Sequence, residues 1–403
     1  MAVVIVGTLD TKGVEVGFVR DRLREAGLET LVVDAGSQGE PAFPPDVPRE
    51  EVFTAAGTSL NEVRRANDRG NAVTLAARGA AEIVRRLHQQ GKVQGVFGLG
   101  GSAGTTIGST AMRALPYGVP KLLVSTLASG QVQPYVGVRD ICMMHSVTDL
   151  SGLNRFTRQI LANAAAAMAG MAGAKPQAPA GADKPLVTAT MFGVTTPCVE
   201  ATRKQVEAAG YEVLVFHATG TGGRTMEAMI ADGLITGVLD ITTTELADEL
   251  VGGVLTAGRD RLTAAGLRGV PQVISLGALD MVNFGPPETV PKKFEGRRFY
   301  QHNPTVTLMR TTPEENDKLG KEIAEKASAA RGPTAILMPL RGVSAIDRDG
   351  GPFWWPDADR ALFQSIRNWV SPSVRLLEFD LHINDPEFAR TAAATLLEIV
   401  AAR

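Results

Sequence analysis

Cysteine is nearly missing from this chain: Cys142 and Cys198 are the only two in 403 residues, far apart and without paired spacing. That excludes a disulfide framework and a cysteine zinc site, and makes a reduced, cytoplasmic compartment the expectation. Histidine is sparse as well. The five, His88, His145, His217, His302 and His382, include no pair at metal-ligand spacing. Aromatic residues reach only 5% and the formal net charge is −2, so bulk electrostatics argue against nucleic acid and anionic membranes as partners. The alanine-rich run Ile160 to Ala174 is broken by glycines and falls short of the ~20 apolar residues of a membrane span. The first seven residues lack the basic start of a signal peptide.

What is present is a chain of 403 residues that is 44% hydrophobic, enough for two cores. Ala2 to Val6 is a short apolar run that fits a strand buried on both faces; Gly7 to Gly13 follows as a loop. Val14 to Ala26 has helical spacing and Glu29 to Asp34 reads as a second strand. Asp68 to Gln90 reads as a long helix, Val93 to Leu99 and Lys121 to Ser125 as further strands. Strands alternating with helices predict a doubly wound, mostly parallel α/β sheet. Residues 173–185 are small and Pro-rich, so the reading is an N-terminal α/β lobe over 1–172, a linker, and a C-terminal α/β lobe over 186–403. A helix over Glu387 to Arg403 has the length to cross back onto the first lobe.

The two lobes resemble each other. Ala26 to Asp34 matches Ala209 to His217, Gly95 to Ser102 matches Gly237 to Thr244, and Gly118 to Ser125 matches Gly269 to Ser275, in the same order. The expectation is a duplicated, Rossmann-like lobe with a ligand cleft between the two copies. The lobes differ where chemistry is expected. Gly100, Gly101, Ser102 and Gly104, followed by Thr105 and Thr106, form a small-residue loop between strand and helix, where bare backbone and unbonded amides suit a phosphate. Thr8, Asp10, Thr11 and Lys12 follow the first strand, offering hydroxyls, an ammonium, and a carboxylate to anchor magnesium. The plain alternative for both is a tight turn and a helix start. Gly100 to Gly104 also satisfies the spacing of a serine nucleophile elbow, but no Asp…His pair follows it. Asp34 either accepts from a ribose or simply ends its strand.

The second lobe has threonines and Glu245 where the first has its glycines. Its polar loops, Arg224 after a glycine pair, the hydroxyl run Thr242, Thr243 and Thr244, and further on His302 and Arg341, suit a small carboxylate-bearing ligand. Arg310, Asp347 and His382 are further polar candidates, each with a structural role as the alternative.

Val6 to Lys12, Gly98 to Thr105, Asp140 to Ser146, Gly152 to Arg155, Phe299 to Thr312 and His382 to Pro386 together resemble an uncharacterised bacterial and plant family. The chain is similar to the ATP-binding N-terminal region of the tomato mosaic virus resistance protein. The resemblance implies two Rossmann-like lobes, a homodimer, and ATP with Mg²⁺ on the first lobe, near Thr8, Asp10, Thr11, Lys12 and the Gly100–Thr106 loop, with Ser125, Thr126 and Asp140 as neighbours. Three functions remain open: an ATP-dependent enzyme acting on a small anionic metabolite, a non-catalytic nucleotide-responsive sensor, and a dinucleotide-dependent dehydrogenase.

Overall fold

The computed structural model describes residues 1–174 and 184–402. The chain forms two compact units, Met1–Ala178 and Pro179–Arg403. The linker expected over 173–185 falls mostly on 175–183, outside the described residues.

The first unit runs β1 (Ala2–Gly7), α1 (Leu9–Glu25), β2 (Thr30–Asp34), α2 (Arg49–Ala55), α3 (Leu60–Ala66), α4 (Arg69–Gln89), β3 (Val93–Gly100), α5 (Ser102–Arg113), β4 (Lys121–Ser125), α6 (Gln133–Val136), β5 (Cys142–His145) and α7 (Arg155–Gly173). Its five strands are parallel in the order β2-β1-β3-β4-β5. Strand alternation explains why β1 is apolar throughout. Val4 and Val6 pack with Ala80, Ile83 and Ile107 on one face, Val3 and Ile5 with Val16, Val19 and Leu161 on the other. From β1 the chain turns one way to β2, then crosses to β3 on the opposite side. The carboxyl ends of β1 and β3 are therefore the topological switch point, where such sheets open a crevice.

One sequence expectation fails at that point. In the stretch read as a loop over Gly7 to Gly13, Gly7 ends β1, Thr8 takes the cap position and Leu9 onward supplies the first turn of α1. Leu9 N donates to Asp34 Oδ1 at 3.0 Å and Lys12 N to Thr8 O at 2.7 Å, which draws the segment into the turn. Lys12 itself departs from helical geometry (φ −128°), leaving a kink where the helix faces the crevice.

The second unit runs β6 (Leu186–Met191), α8 (Thr196–Ala208), β7 (Glu212–His217), α9 (Thr221–Ala231), β8 (Gly237–Thr242), α10 (Thr244–Val251), α11 (Ala264–Arg268), β9 (Gln272–Gly277), β10 (Met281–Phe284), β11 (Phe299–Asn303), β12 (Val306–Arg310), α12 (Pro313–Ser328), β13 (Thr334–Pro339), α13 (Pro356–Trp369), β14 (Arg375–Phe379) and α14 (Pro386–Ala401). Its parallel sheet has the order β14-β13-β9-β8-β6-β7, and β10-β12-β11 form a small antiparallel sheet. Read from β7, the order 7-6-8-9-13 repeats 2-1-3-4-5 of the first unit, which is the duplication seen as topology. The C-terminal helix packs within the second unit. Phe388, Ala389, Ala392 and Leu396 of α14 are buried with Val187, Val199 and Leu239 of the second, because those apolar residues recur at helical spacing on one face. Among the described residues no helix is long and apolar enough to cross a membrane.

Candidate functional site

Two adjoining cavities open at the switch point of the first unit. The larger, about 420 Å³, is walled by Ala35, Ala72, Val73, Ala76, Ala103 and Ile107, with Ser37, Gln38 and Asn67 at its polar side. The smaller, about 270 Å³, is lined by Lys12, Gly100, Gly101, Ser102, Gly104 and Asp149. Thr8, Thr11, Arg69 and Ala103 belong to both. An apolar chamber thus continues into a narrow throat of cations and bare backbone.

The throat is shaped by the strand-to-helix turn. Gly100 sits at φ +153°, and a Cβ there would lie 2.9 Å from Gly104 Cα; one on Gly104 would lie 2.6 Å from Leu99 O. Those two glycines are required by close packing, as the plain reading had it. Gly101 is different. Its open side meets only Thr126 Oγ1, at 3.8 Å. No side chain caps α5, so the amides of Ser102, Ala103 and Gly104 have no intrahelical acceptor. Helix polarity and free amides make this end of α5 attractive to an anion.

Lys12 lines the same throat, its Nζ donating to the Leu150 carbonyl. Thr8 and Thr11 join hydroxyls at 2.8 Å on the wall between the cavities. Below the turn, Thr105 and Ser125 are fully buried and bonded to each other at 2.7 Å, and Ser125 Oγ accepts from Leu127 N. They brace the loop and do not face the throat. Thr126 N donates to Gly100 O, while Thr106 turns its hydroxyl back to Ser102 O on the outer side of α5.

Two expected site residues are corrected. Asp140 accepts from Lys121 Nζ at 2.7 Å and from Gly118 N at 2.8 Å. Lys121 begins β4, so this pair sits at the amino ends of the parallel strands, the edge opposite the crevice. Asp10 borders the chamber, but its carboxylate is only 3% exposed, accepts from Gln38 N at 2.9 Å and lies 3.8 Å from Arg49. Its remaining oxygen, Oδ1, has no partner but is buried against Gly36, where a Cβ would come within 2.6 Å. A carboxylate closed over by backbone and facing a guanidinium does not fit a magnesium anchor. Asp34 is closed too, holding Leu9 N, Gly36 N and Arg49 Nε, so it ends its strand and ties down the chamber floor.

Sequence reading missed Arg69 and Asp149. Arg69 is exposed between the two cavities, and its side chain makes no hydrogen bond or ion pair with another described residue. There was a signal for it. Arg69 is the first residue of α4, directly after the Asp68 cap, where the helix dipole disfavours a cation by roughly 0.3–1 kcal/mol. Asp149 had none, lying in an irregular turn after β5.

In the second unit the corresponding ground is filled. Arg261 is fully buried, its guanidinium held by Asp240 at 2.5 and 2.6 Å, by Glu245 at 2.7 Å and by Glu227 at 3.3 Å. Burial opposes its charge, but the surrounding carboxylates outweigh that and hold it well above the usual arginine range. Glu245 also accepts from Gly220 N at 2.7 Å and Gly223 N at 3.1 Å, at the start of α9. The residues expected to grip a small acid are not gathered there. Thr242, Thr243 and Thr244 are buried and donate to Thr190 O, Ser275 O and Met281 O. Arg224 is half-buried on α9; His302 is exposed on β11; Arg341 pairs with Asp380 on the surface, 63% exposed. None of the six lines the two cavities above. A second knot buries Arg310 with Asp359 at 2.5 Å and Asp347 at 3.5 Å. Nearby, Ser344 Oγ donates to Asp280 at 2.8 Å, and burial pushes Asp280 well above the carboxylate range, with Asp347 adding to it. His382 Nδ1 accepts from Asn384 N and Nε2 donates to Ser344 O at 2.8 Å, so the ring acts as a structural tie.

Fold and site together define a two-unit, doubly wound α/β protein whose first sheet carries an open crevice at its switch point. Family models for the N- and C-terminal domains of an uncharacterised protein family, UPF0261, match residues 1–177 and 184–400, and the chain belongs to that family. A UPF0261 protein of Clostridium tetani is 51% identical over 99% of this chain and 98% of its own. The tomato ToMV susceptible protein tm-1(GCR26) and ToMV resistance protein Tm-1(GCR237) are each 39% identical over 98% of this chain, which spans 55% of their length. A UDP-N-acetylglucosamine 2-epimerase from Rickettsia bellii aligns with all of this chain and 96% of its own, but at 9% identity and a TM-score of 0.24 it bears on nothing further.

Proposed function

We propose that the first unit binds ATP in this crevice, with the adenosine in the apolar chamber and the triphosphate in the throat. The observation that carries the reading is the shared wall: Thr8, Thr11, Arg69 and Ala103 border both cavities, so one ligand with an apolar end and an anionic end fits both. The α5 amides would take a phosphate, Lys12 would leave the Leu150 carbonyl for phosphate oxygens, and Arg69 would close on them as a fork. Ligand binding at a switch point of this kind is the general behaviour of such sheets.

Titration calorimetry of the full chain with ATP is the test. Wild-type protein is expected to bind, and Lys12→Ala to weaken binding by about tenfold, the loss of one charge-assisted contact. A wild-type chain without measurable affinity ends the reading. NADH titrated in parallel is expected to bind more weakly, which separates this function from a dehydrogenase. One observation favours a nucleotide-responsive sensor over an ATP-dependent enzyme with its acid substrate in the second unit: the hydroxyl run meant to hold that acid is buried and fully engaged. A sensor binds ATP without consuming it across a panel of small acids. Association into homodimers is part of the proposal and is read by sedimentation equilibrium.

A further inference from the structure

The throat holds a carboxylate that its own chemistry does not account for. Asp149 is exposed there, alongside Lys12, Arg69 and the Gly100–Gly104 turn, and makes no hydrogen bond or ion pair with another described residue. An anion placed beside a polyphosphate repels it, unless something positive stands between the two. The chain nevertheless spends strain just ahead of Asp149. Val147, a β-branched residue, sits at φ +63°. Thr148 N donates to Ser146 O across it at 2.7 Å, a three-residue turn of the rare, strained hand. Ser146 pins both sides: its N–H donates to Ser125 O at 3.1 Å, at the end of β4, and its Oγ donates to Thr148 O at 2.7 Å. Beyond Asp149, Gly152 N donates to the buried Glu15 at 2.7 Å, and Leu150 O receives Lys12. The segment is fixed at both ends, and strain of this kind persists only where surrounding structure over-determines it.

We infer that Asp149 is the protein's ligand for a divalent cation, Mg²⁺ or Mn²⁺, that enters with the polyphosphate. This rests on the nucleotide reading above. Among the described residues no three His, Cys, Asp or Glu side chains are grouped to hold a metal, so the other ligands are phosphate oxygens and water. That is the usual arrangement for Mg²⁺, which keeps its waters and takes one or two carboxylates plus phosphates. Asp10, closed over by Gln38 N and Gly36, is not available for it.

The experiment is calorimetry of full-length wild type, Asp149→Asn and Asp10→Asn with ATP, in excess Mg²⁺ and in EDTA at matched ionic strength. Electron paramagnetic resonance of Mn²⁺ with ATP reads the metal directly. Wild type is expected to bind ATP more tightly with Mg²⁺. Asp149→Asn is expected to lose at least about tenfold of that gain while binding equally well or better in EDTA, because the repulsion is gone. Asp10→Asn keeps the gain. A full Mg²⁺ gain in Asp149→Asn, or wild-type ATP binding indifferent to the metal, overturns this inference and leaves nucleotide binding standing. Wild-type protein that binds no ATP in either condition overturns both.

Discussion

The two units share a strand order and treat the same crevice in opposite ways. Extending the internal match by one residue sets Ala103 of the first unit against Glu245 of the second. Ala103 borders both cavities and leaves them open. Glu245 is fully buried and occupies the amides of Gly220 and Gly223 while bonding Arg261. The second unit has built an anion into its own helix start and matched it with an internal cation. The first has left the α5 amides, Lys12 and Arg69 lining an open cavity. The repeated sheet thus ends differently in the two units: a buried ion cluster strengthens no core cheaply, but it occupies strand ends of the kind that stay open in the first unit.

That comparison can be broken in three places. The largest effect is expected from Glu245→Ala, which strands Arg261 Nε and two glycine amides in the interior and costs about 3 kcal/mol or more. Trp354, Trp355 and Trp369 all belong to the second unit, so their fluorescence during urea unfolding follows that unit alone; an unchanged midpoint would mean the cluster is not what closes the crevice. Importing the same carboxylate, Ala103→Glu, is expected to lower ATP affinity about a hundredfold by volume and charge, with the tryptophan transition unmoved. The third effect concerns pH, and it is the smallest over any single step of one pH unit. Burial pushes Asp248 of α10 up to about 7, against the hydrogen bonds from Asn283. A carboxyl raised in the folded state contributes stability that is complete below its unfolded value near 4 and is lost as pH rises to about 7. Asp248→Asn is expected to flatten the stability profile of the second unit across that window, by at most roughly 1.4 kcal/mol per pH unit, with no change above it.

Much of the fold was legible because it rests on short-range regularities. Apolar runs such as Ala2 to Val6 must be strands buried on both faces, Lys121 to Ser125 matched its strand to the residue, and the repeated segments announced a repeated sheet. The glycine turn was legible as well, since the steric demand at Gly100 and Gly104 leaves no other residue. Where the chain's charges go was not. Asp140 and Ser125 both read as neighbours of the crevice, yet the parallel register sends them to opposite ends of adjacent strands. Asp10 read as an open carboxylate, but Arg49 and the backbone after β2 enclose it. The threonines Thr242 to Thr244 read as a binding surface and turned out to be interior.

The sequence by itself determined strands, helices, the twinning of the lobes and the bare backbone of one turn, because propensity, periodicity and steric exclusion act between near neighbours. Only the tertiary structure decided which polar groups stay free, bringing Arg69 and Asp149 beside Lys12 from far along the chain and closing Glu245 of α10 over the start of α9. A charge is spent or left over according to the partners that long-range packing delivers to it, and spacing along a chain does not encode them.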